Sequence, residues 1–230
     1  MSSKQPIHQL DWIQIGLKQK IHTIQTMIHE KRKETPGRNT RTLDKLDRWD
    51  ESIQQVESKL VEIEEILGPR LENELDIDFR DSELLQIGMF QPSTKNIFLE
   101  LETEYRYDRN CPLSNQDFEN LINLPEMAQA LALVGDAAID MAVLHYLWEP
   151  IAADVGMLTQ RRADIVSNEH LADICDDWGL YEYRIHFDPG YPSDAEMQHD
   201  KGTLLEAVYG IIYVEHGFDT VEREITHILR

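Results

Sequence analysis

The sequence predicts an all-α protein, on two main observations. Apolar residues return every three or four positions in two N-terminal stretches. The second half carries a capping-box-like helix start at residues 114–117 and a long apolar stretch that follows Pro125. We therefore expect a coiled-coil-like helical hairpin over residues 1–79, followed by a helical domain over residues 80–230.

The first predicted helix is an amphipathic segment in residues 10–28. Its stripe consists of Leu10, Ile13, Leu17, Ile21, Ile24 and Ile28. This spacing places the six side chains on one face of a helix. Residues 35–39 read Thr-Pro-Gly-Arg-Asn and predict a turn, because proline restricts the residue before it and glycine permits positive φ.

The second predicted helix has a longer and more regular stripe. Its members alternate steps of three and four without a miss: Leu46, Trp49, Ile53, Val56, Leu60, Ile63 and Leu67. Such a pattern is typical of coiled-coil packing, and the dipeptide Gly68-Pro69 is expected to end the helix. Two helices joined by a short turn should fold back as an antiparallel hairpin. A simple spacer, a dimerisation arm or a protein-interaction module remains an alternative role.

Helices are also predicted at residues 126–148, 157–177, 203–215 and 219–229, with a loop at residues 188–192. Residues 80–108 are ambiguous between strand and helix. The stretch 128–148 is apolar enough to resemble a membrane span, but Asp136 and Asp140 in its middle oppose insertion. A buried helix without a membrane partner is the expectation, and its two acids need an explanation.

Charge divides the chain into two unlike halves. The 230 residues hold 22 basic and 43 acidic side chains, a net charge of -21. Residues 1–79 contribute 12 basic and 15 acidic side chains, whereas residues 80–230 contribute 10 and 28. This balance argues against a protein that coats nucleic acid, because phosphates would be repelled, but it is compatible with a site built from carboxylates for divalent cations. Adaptation to high intracellular salt would also explain it.

The tip of the hairpin is locally basic. Its basic side chains are Lys31, Arg32, Lys33, Arg38, Arg41, Lys45 and Arg48. Outside a metal site, this tip is the candidate surface for RNA phosphates, and Lys31, Arg32, Lys33 and Arg38 are the candidate contacts. The alternative is a solvated charged turn.

Several common kinds of site are absent from the sequence. There is no glycine-rich dinucleotide fingerprint, no P-loop and no nucleophile elbow, and the nine histidines lack the close helical pairing of zinc hydrolases. Cys111 and Cys175 lie far apart and form neither a metal knuckle nor a disulfide framework. No secretory signal opens the sequence, so a cytoplasmic location is expected. Acids remain as the chemistry to consider.

Three segments of the second half resemble the ribonuclease III domain family. They read ALALVGDAAID at residues 130–140, GMLTQRRADIVSNEHLA at residues 156–172 and TLLEAVYGIIYVEHGF at residues 203–218. The family has a signature helix ending in a Gly-Asp pair and a last motif with Glu-Ala in an apolar helix. The resemblance covers roughly residues 84–230 and rests on the three segments together, in this order.

The sequence departs from the usual family pattern at three positions. Gln129, Ala132 and Thr203 stand where the family carries acids. The minimal form of the family, Mini-III, has the same Ala-Leu-Ala and Glu-Ala features and lacks a double-stranded-RNA-binding domain. The resemblance therefore implies that Asp136 and Glu206 are the catalytic and metal-binding residues.

The resemblance further implies an endoribonuclease that uses Mg²⁺, with Mn²⁺ as a possible substitute. It would cleave double-stranded or structured RNA and leave 5′-phosphate and 3′-hydroxyl ends. It also implies a homodimer in which Leu133 lodges in the partner. Arg161 and Arg162 are candidate RNA contacts, although a neighbouring acid is the more ordinary partner for one of them.

The residues themselves give an independent reason to consider a cation. Gly135 permits another backbone to approach beside Asp136, and an acid in an apolar helix needs a partner, for which a divalent cation is suited. Asp140, one helical turn later, is a weaker candidate ligand. Three alternatives stay open: Glu206 in a capping box with Thr203, Asp136 paired with a core arginine or histidine, and a catalytically silent RNA-binding or ribonucleoprotein scaffold.

Overall fold

The computed structural model describes residues 10, 12–148, 154–188, 190 and 192–229. Within these residues the secondary structure is helical apart from an isolated bridge between Phe90 and Ile185, so the all-α fold class is confirmed. The first six helices are α1 Leu17–Glu34, α2 Thr40–Glu62, α3 Gly68–Leu75, α4 Ser82–Gly88, α5 Lys95–Tyr105 and α6 Asn115–Ile122. The next five are α7 Leu124–Leu147, α8 Val155–Ile165, α9 Asn168–Asp177, α10 Asp194–His216 and α11 Phe218–Glu224.

The N-terminal hairpin forms as predicted, because α1 and α2 pack against each other across the turn at residues 35–39. All seven residues of the second stripe are buried. The first helix begins at Leu17, however, and its predicted start at Leu10 is wrong. Gly16 precedes the helix in the left-handed conformation with φ 71°. The carboxylate of Glu83 accepts hydrogen bonds from the backbone N–H groups of Ile15 (2.6 Å) and Leu17 (2.7 Å) and so holds this helix start.

The predicted helix end at Gly68-Pro69 is wrong. After α2 the chain continues through a π-helical segment, Ile63–Leu67, directly into α3. Pro69 lies in the first turn of α3, directly after the π-helical segment, where the regular α-helical hydrogen-bond pattern is already interrupted. The proline therefore does not end the helical path, which continues to Leu75.

The second half contains more helix boundaries than the sequence suggested. The ambiguous stretch 80–108 forms α4 and α5, and the predicted helix 157–177 is divided between α8 and α9 by Ser167, whose side chain caps α9. The helix predicted at residues 203–215 begins earlier, at the capping box formed by Ser193 and Glu196. The predicted helix 219–229 is α11 followed by a short 3₁₀ turn. Pro189 and Tyr191 of the predicted loop lie outside the described residues.

The backbones of α7 and α10 meet where these two helices cross. A Cβ atom built on Gly135 would lie 1.8 Å from the backbone oxygen of Glu206, and one built on Gly210 would lie 2.0 Å from that of Leu131. Real Cβ atoms do not approach backbone oxygens so closely, so only glycine fits at both positions. The two backbones are therefore in direct contact where the second half carries its signature acids.

α7 is also the helix that could be mistaken for a membrane span. Its most apolar window has a mean hydropathy of 1.6 and is 44% buried inside the protein, so it passes a test of length and composition. Core helices of soluble proteins pass the same test. The expectation that it is such a core helix, with no membrane partner, stays a prediction.

The buried side chains of the hairpin and of the second half belong to one hydrophobic cluster. For example, Trp49 of α2 lies beside Tyr105 of α5, with ring centroids 6.5 Å apart. The division of the chain into residues 1–79 and 80–230 stays a prediction.

The crossing leads to a prediction about stability. Gly135→Ala and Gly210→Ala should each lower the free energy of unfolding by about 1–3 kcal/mol, because a methyl group would push the two backbones apart. Gly37→Ala, at the hairpin tip with nothing within 4 Å of its Cβ position, should lose no stability. Urea unfolding followed by circular dichroism makes the comparison, and equal stability of all three variants would contradict the close crossing.

Candidate functional site

Asp136 and Glu206 lie on the two helices that cross. Asp136 follows Gly135 on α7, and Glu206 is the residue of α10 whose backbone oxygen meets Gly135. Burial, reinforced by the negative charges of Asp136 and Asp140, raises the pKa of Glu206 from 4.5 to about 7. Burial and the charge of Asp140 also raise the pKa of Asp136, against the opposing effect of Arg162. The crossing thus brings negative charges together at a place where Glu206 is half-buried and Asp136 is exposed.

Two of the ordinary explanations for these acids are wrong. Thr203 and Glu206 lie inside α10, far past its start, so Glu206 is not part of a capping box. Neither carboxylate has a hydrogen-bond or ion-pair partner among the described residues, so Asp136 does not pair with a core arginine or histidine there. Glu206 is half-buried and unpaired, which favours a cation as its partner, whereas Asp136 beside it is exposed to solvent.

Arg162, predicted as an RNA contact, lies against an acid instead. Its guanidinium forms an ion pair with Oδ2 of Asp140, which links α8 to α7. The other oxygen of Asp140, Oδ1, is buried and has no hydrogen-bond partner. Arg161 is exposed and has no ion pair with a described residue. The alternative that one of the two arginines is tied to an acid therefore holds.

The three positions that lack the family acids have different surroundings. Ala132 is buried. Gln129 and Thr203 line a cavity of 220 Å³ beside the crossing, together with His199 and Asp200. The sequence analysis did not single out His199 or Asp200. The step of four from His199 to Thr203 could have shown that these two side chains share a face of α10. Burial raises the pKa of Asp200 as well.

The donor set fits a divalent cation held by Asp136 and Glu206. Mg²⁺ binds carboxylate oxygens and retains several waters, so two protein ligands are sufficient. Such an ion would offset the burial and the neighbouring negative charges that together raise the pKa of Glu206. The described residues contain no group of three or more acids, histidines or cysteines that is arranged around one ion.

The basic hairpin tip is less free than its sequence suggested. Lys31 and Lys45 both contact the carboxylate of Glu104, at 2.7 and 2.8 Å. Arg32 pairs with Asp47, and Arg48 pairs with Glu100 at 2.5 Å. At the tip, the exposed cations without an ion pair to a described residue are Lys33, Arg38 and Arg41. Helix α5 thus supplies acids that neutralise part of the tip.

Leu133, the predicted dimer contact, is 70% exposed on α7. On the same helix Met141 is half exposed, and an apolar groove nearby is lined by Leu10, Val134, Ala137 and Phe218, among others. The role of Leu133 as a dimer contact stays a prediction.

Known proteins are similar to this chain in the region of the two acids. Residues 129–217, which contain both acids and both crossing glycines, match the family model of the Ribonuclease III domain. The chain is similar to "Ribonuclease 3" of Magnetococcus marinus, at 26% identity over 161 residues, which is 69% of this chain and 58% of the relative. It is similar to "Ribonuclease 3" of Bdellovibrio bacteriovorus at 29% identity over 110 residues, which is 46% of this chain and 47% of the relative.

Two further similarities are more partial. The match to "Ribonuclease 3" of Caenorhabditis briggsae has 32% identity over 93 residues but covers only 8% of that protein. The crystal structure of the nuclease domain of Campylobacter jejuni ribonuclease III has a TM-score of 0.44 and 20% identity, and the match covers 70% of this chain and 92% of that one. The chain spans between 8% and 58% of these three curated relatives.

The fold and the site define an all-α domain with an unpaired acid on each of two crossing helices. Taken with the match over residues 129–217, the chain contains a ribonuclease III domain. Its closer likeness to the minimal form of that family stays a prediction.

The raised pKa of Glu206 predicts a pH-dependent stability. The folded pKa of about 7 exceeds the value of 4.5 taken for the unfolded chain, so this group favours folding at low pH, and that advantage is lost as the pH rises from about 4.5 to 7. Glu206→Gln should therefore stabilise the metal-free protein more at pH 8 than at pH 5.

Urea unfolding in the presence of a chelator tests this expectation. Glu119→Gln, a matched change at an exposed residue of α6, should give no such pH-dependent gain. If Glu206→Gln changes the free energy of unfolding equally at both pH values, the pKa of Glu206 is not raised in the folded protein.

Proposed function

We propose that this protein is a metal-dependent endoribonuclease that cleaves double-stranded or structured RNA. The observation that carries the proposal is the pair of unpartnered carboxylates, Asp136 and Glu206, at the backbone contact between α7 and α10. The ribonuclease III domain over residues 129–217 supports the choice of RNA as the substrate. We further propose 5′-phosphate and 3′-hydroxyl products and a cytoplasmic location.

Asp136 and Glu206 would hold the cation, Mg²⁺ or Mn²⁺, between them. A bound divalent cation supplies charge neutralisation and an activated water for phosphodiester hydrolysis. The protein contributes rigidity, because the two carboxylates project from helices whose backbones touch and cannot drift apart without breaking the core. It also contributes desolvation, since Glu206 is largely shielded from water and its charge is then stronger toward a cation.

An alternative role follows from the missing acids. Gln129, Ala132 and Thr203 cannot act as anionic ligands, so a catalytically silent scaffold that binds RNA is the second candidate. Retention of both acids at the crossing favours the enzyme. Duplex binding without cleavage in either metal would favour the scaffold.

The catalytic proposal is tested by cleavage of a labelled RNA duplex. Asp136→Asn and Glu206→Gln should each reduce turnover at least roughly 100-fold, because each removes an anionic ligand from the cation. Circular dichroism should report unchanged helix content. Glu119→Gln, which removes an exposed acid on α6 that is not part of the site, should retain full turnover. Full activity in both site variants would refute the assignment.

We also propose a homodimer that buries the exposed face of α7. Leu133 and Met141 are exposed apolar residues of the same helix, and such surfaces are commonly covered by a partner. A second copy would bring a second acid pair to the same duplex, so that each copy cuts one strand.

The dimer is tested by light scattering at micromolar concentration. Wild-type protein should have twice the monomer mass, and Leu133→Glu should shift it toward the monomer because a charge would be buried in the interface. Val61→Glu, which places the same charge at a half-exposed apolar position on α2, should leave the mass unchanged. A monomeric wild type would remove the model of paired strand cutting.

The hairpin tip is proposed to attract duplex RNA. The second half carries an excess of acids, so a cationic arm would raise the local RNA concentration. The structure's ion pairs narrow the candidate set, since Lys31 and Arg32 are engaged by Glu104 and Asp47. Lys33, Arg38 and Arg41 remain as the strongest candidates.

Changing these three residues together to glutamine should weaken RNA binding and reduce the slope of log affinity against log salt by roughly 0.9 for each lost phosphate contact. A triple glutamine variant of Lys95, Arg106 and Arg109 removes the same charge around α5 and serves as the control. Fluorescence anisotropy in a catalytically silenced background gives both quantities. Equal salt slopes in the two variants would leave the tip without a role in RNA binding.

A further inference from the structure

A second cavity adjoins the one beside the crossing of α7 and α10. It has a volume of 390 Å³ and is lined by Gln91, Pro92, Arg184, Asp188, Glu196 and Asp200, among others. Three of these residues, Gln91, Pro92 and Asp200, also line the smaller cavity that contains Gln129 and Thr203. The two cavities are therefore neighbours, and we call the larger one the Arg184 cavity.

Arg184 brings an unsatisfied hydrogen-bond donor to this cavity. Its Nη1 atom is buried and has no hydrogen-bond partner, and its guanidinium forms no ion pair with a described carboxylate. The Cζ atom lies 3.7 Å from the centroid of the Tyr181 ring, so an aromatic face supports the guanidinium. Burial lowers the pKa of Arg184, although the charges of Asp200 and Asp188 oppose this effect. Because a buried donor without an acceptor is costly, a ligand that accepts hydrogen bonds would be favoured there.

Three acids line the same cavity, and one of them has no partner among the described residues. Oδ2 of Asp188 lies 3.4 Å from Nδ1 of His186, and Glu196 accepts hydrogen bonds from Ser193 in the capping box of α10. Asp200 has no hydrogen bond or ion pair with a described residue. Burial also raises the pKa of its carboxyl group. The cavity thus combines an unpaired guanidinium with an unpaired carboxylate.

This combination of groups does not suit a simple ion. A phosphate would be attracted by Arg184 but repelled by the three acids, and a metal cation would be attracted by the acids but repelled by Arg184. A neutral ligand suits both groups if it accepts hydrogen bonds on one edge and donates them on the next. Guanine is such a ligand, because its O6 and N7 acceptors lie beside its N1–H and N2–H₂ donors.

We propose that the Arg184 cavity binds an unpaired guanine base of RNA, with Arg184 donating to O6 and N7 and Asp200 accepting from N1–H and N2–H₂. The inference rests on the proposed function in taking RNA as the source of the base. Bidentate contacts from arginine to O6 and N7 are a common way to read guanine. The N1–H and N2–H₂ groups are occupied in a base pair, so the base that binds must be unpaired.

The location of the cavity connects this recognition to cleavage. Because it shares Gln91, Pro92 and Asp200 with the cavity beside the crossing, a nucleotide held by its base has its phosphodiesters on the side of Asp136 and Glu206. The protein would therefore select structured RNA with an unpaired guanine next to a stem over an uninterrupted duplex.

Nucleoside binding to the full chain tests the proposal without cleavage. Ligand-observed NMR titrations in the presence of a chelator compare guanosine with inosine, which lacks the N2 amino group, and with adenosine, which keeps only N7 of the four recognised groups. Guanosine should bind at least roughly tenfold more tightly than adenosine, because both bidentate contacts are lost or halved. Inosine should have an intermediate affinity, because it loses one donor.

Two substitutions assign the contacts to residues. Arg184→Gln should weaken guanosine binding roughly tenfold, because it removes the contact to O6 and N7. Asp200→Asn has the same size but a single acceptor atom, so it should remove most of the preference for guanosine over inosine. Lys201→Gln is the control, since this lysine lies over the same Tyr181 ring, at 5.4 Å, but does not line the cavity. It should leave guanosine affinity unchanged.

Several results would overturn the proposal. Equal affinities of the wild type for guanosine and adenosine would do so, as would the absence of nucleoside binding, and neither comparison depends on a variant that folds. Equal losses in Arg184→Gln and Lys201→Gln would replace base recognition by a general charge effect. Competition between guanosine and inorganic phosphate would identify an anion site instead of a base site.

Cleavage of a labelled RNA duplex separates this inference from the proposed function. Protein that prefers guanosine with the expected dependence on Arg184 and Asp200 but cleaves no RNA would refute the nuclease and support the guanine site. Protein that cleaves RNA but shows no preference for guanosine would refute the guanine site alone.

Discussion

The backbone contact between α7 and α10 is the constraint on which the site depends. Gly135 and Gly210 let the two helices approach until a single added methyl group would overlap a peptide oxygen. The helices are long, and both contribute buried apolar side chains along most of their length. The core therefore fixes the crossing, and the crossing fixes the separation of the acids that flank it. A site made in this way needs no ordered loop to position its carboxylates.

The cost of this arrangement is electrostatic. Burial and neighbouring acids raise the pKa of Glu206 to about 7, so the metal-free protein holds this charge with difficulty at neutral pH. Arg162 offsets part of the negative charge through Asp140 and lowers the pKa of Asp136. A divalent cation would offset more. Cations at the site can mediate between carboxylates and phosphates. The second half can therefore be strongly acidic and still act on a polyanion such as RNA, as we propose.

Local sequence patterns predicted the elements whose causes are local. The heptad stripe from Leu46 to Leu67 predicted the hairpin, because burying that seam requires a second helix. The same local reasoning misread Gly68-Pro69, since proline suits the first turn of α3 as well as a helix end. It also left Thr203 and Glu206 open to a capping-box interpretation, because such a box and a mid-helix pair have the same spacing. The actual cap, Ser193 with Glu196, removes that ambiguity.

Contacts between distant segments account for most of what the sequence did not predict. The partner of Asp140 comes from α8, and the acids that occupy Lys31 and Lys45 come from α5. No periodicity within a helix encodes such pairs. Glu206 was singled out only through a family resemblance, whereas Asp136 also stood out as an acid in an apolar helix. Their juxtaposition required the packing of two helices separated by many residues. The sequence indicated a close backbone approach at Gly135 but not at Gly210, the second glycine of the crossing.

The central claim is that the crossing forces Glu206 into a crowded acidic environment, and a direct measurement of its titration tests that claim. Side-chain carboxyl ¹³C NMR of the metal-free protein should give Glu206 a midpoint near 7. The midpoint should fall toward its ordinary value in Asp136→Asn, where one of the neighbouring charges is removed. A wild-type midpoint near 4.5, unchanged by Asp136→Asn, would contradict the account.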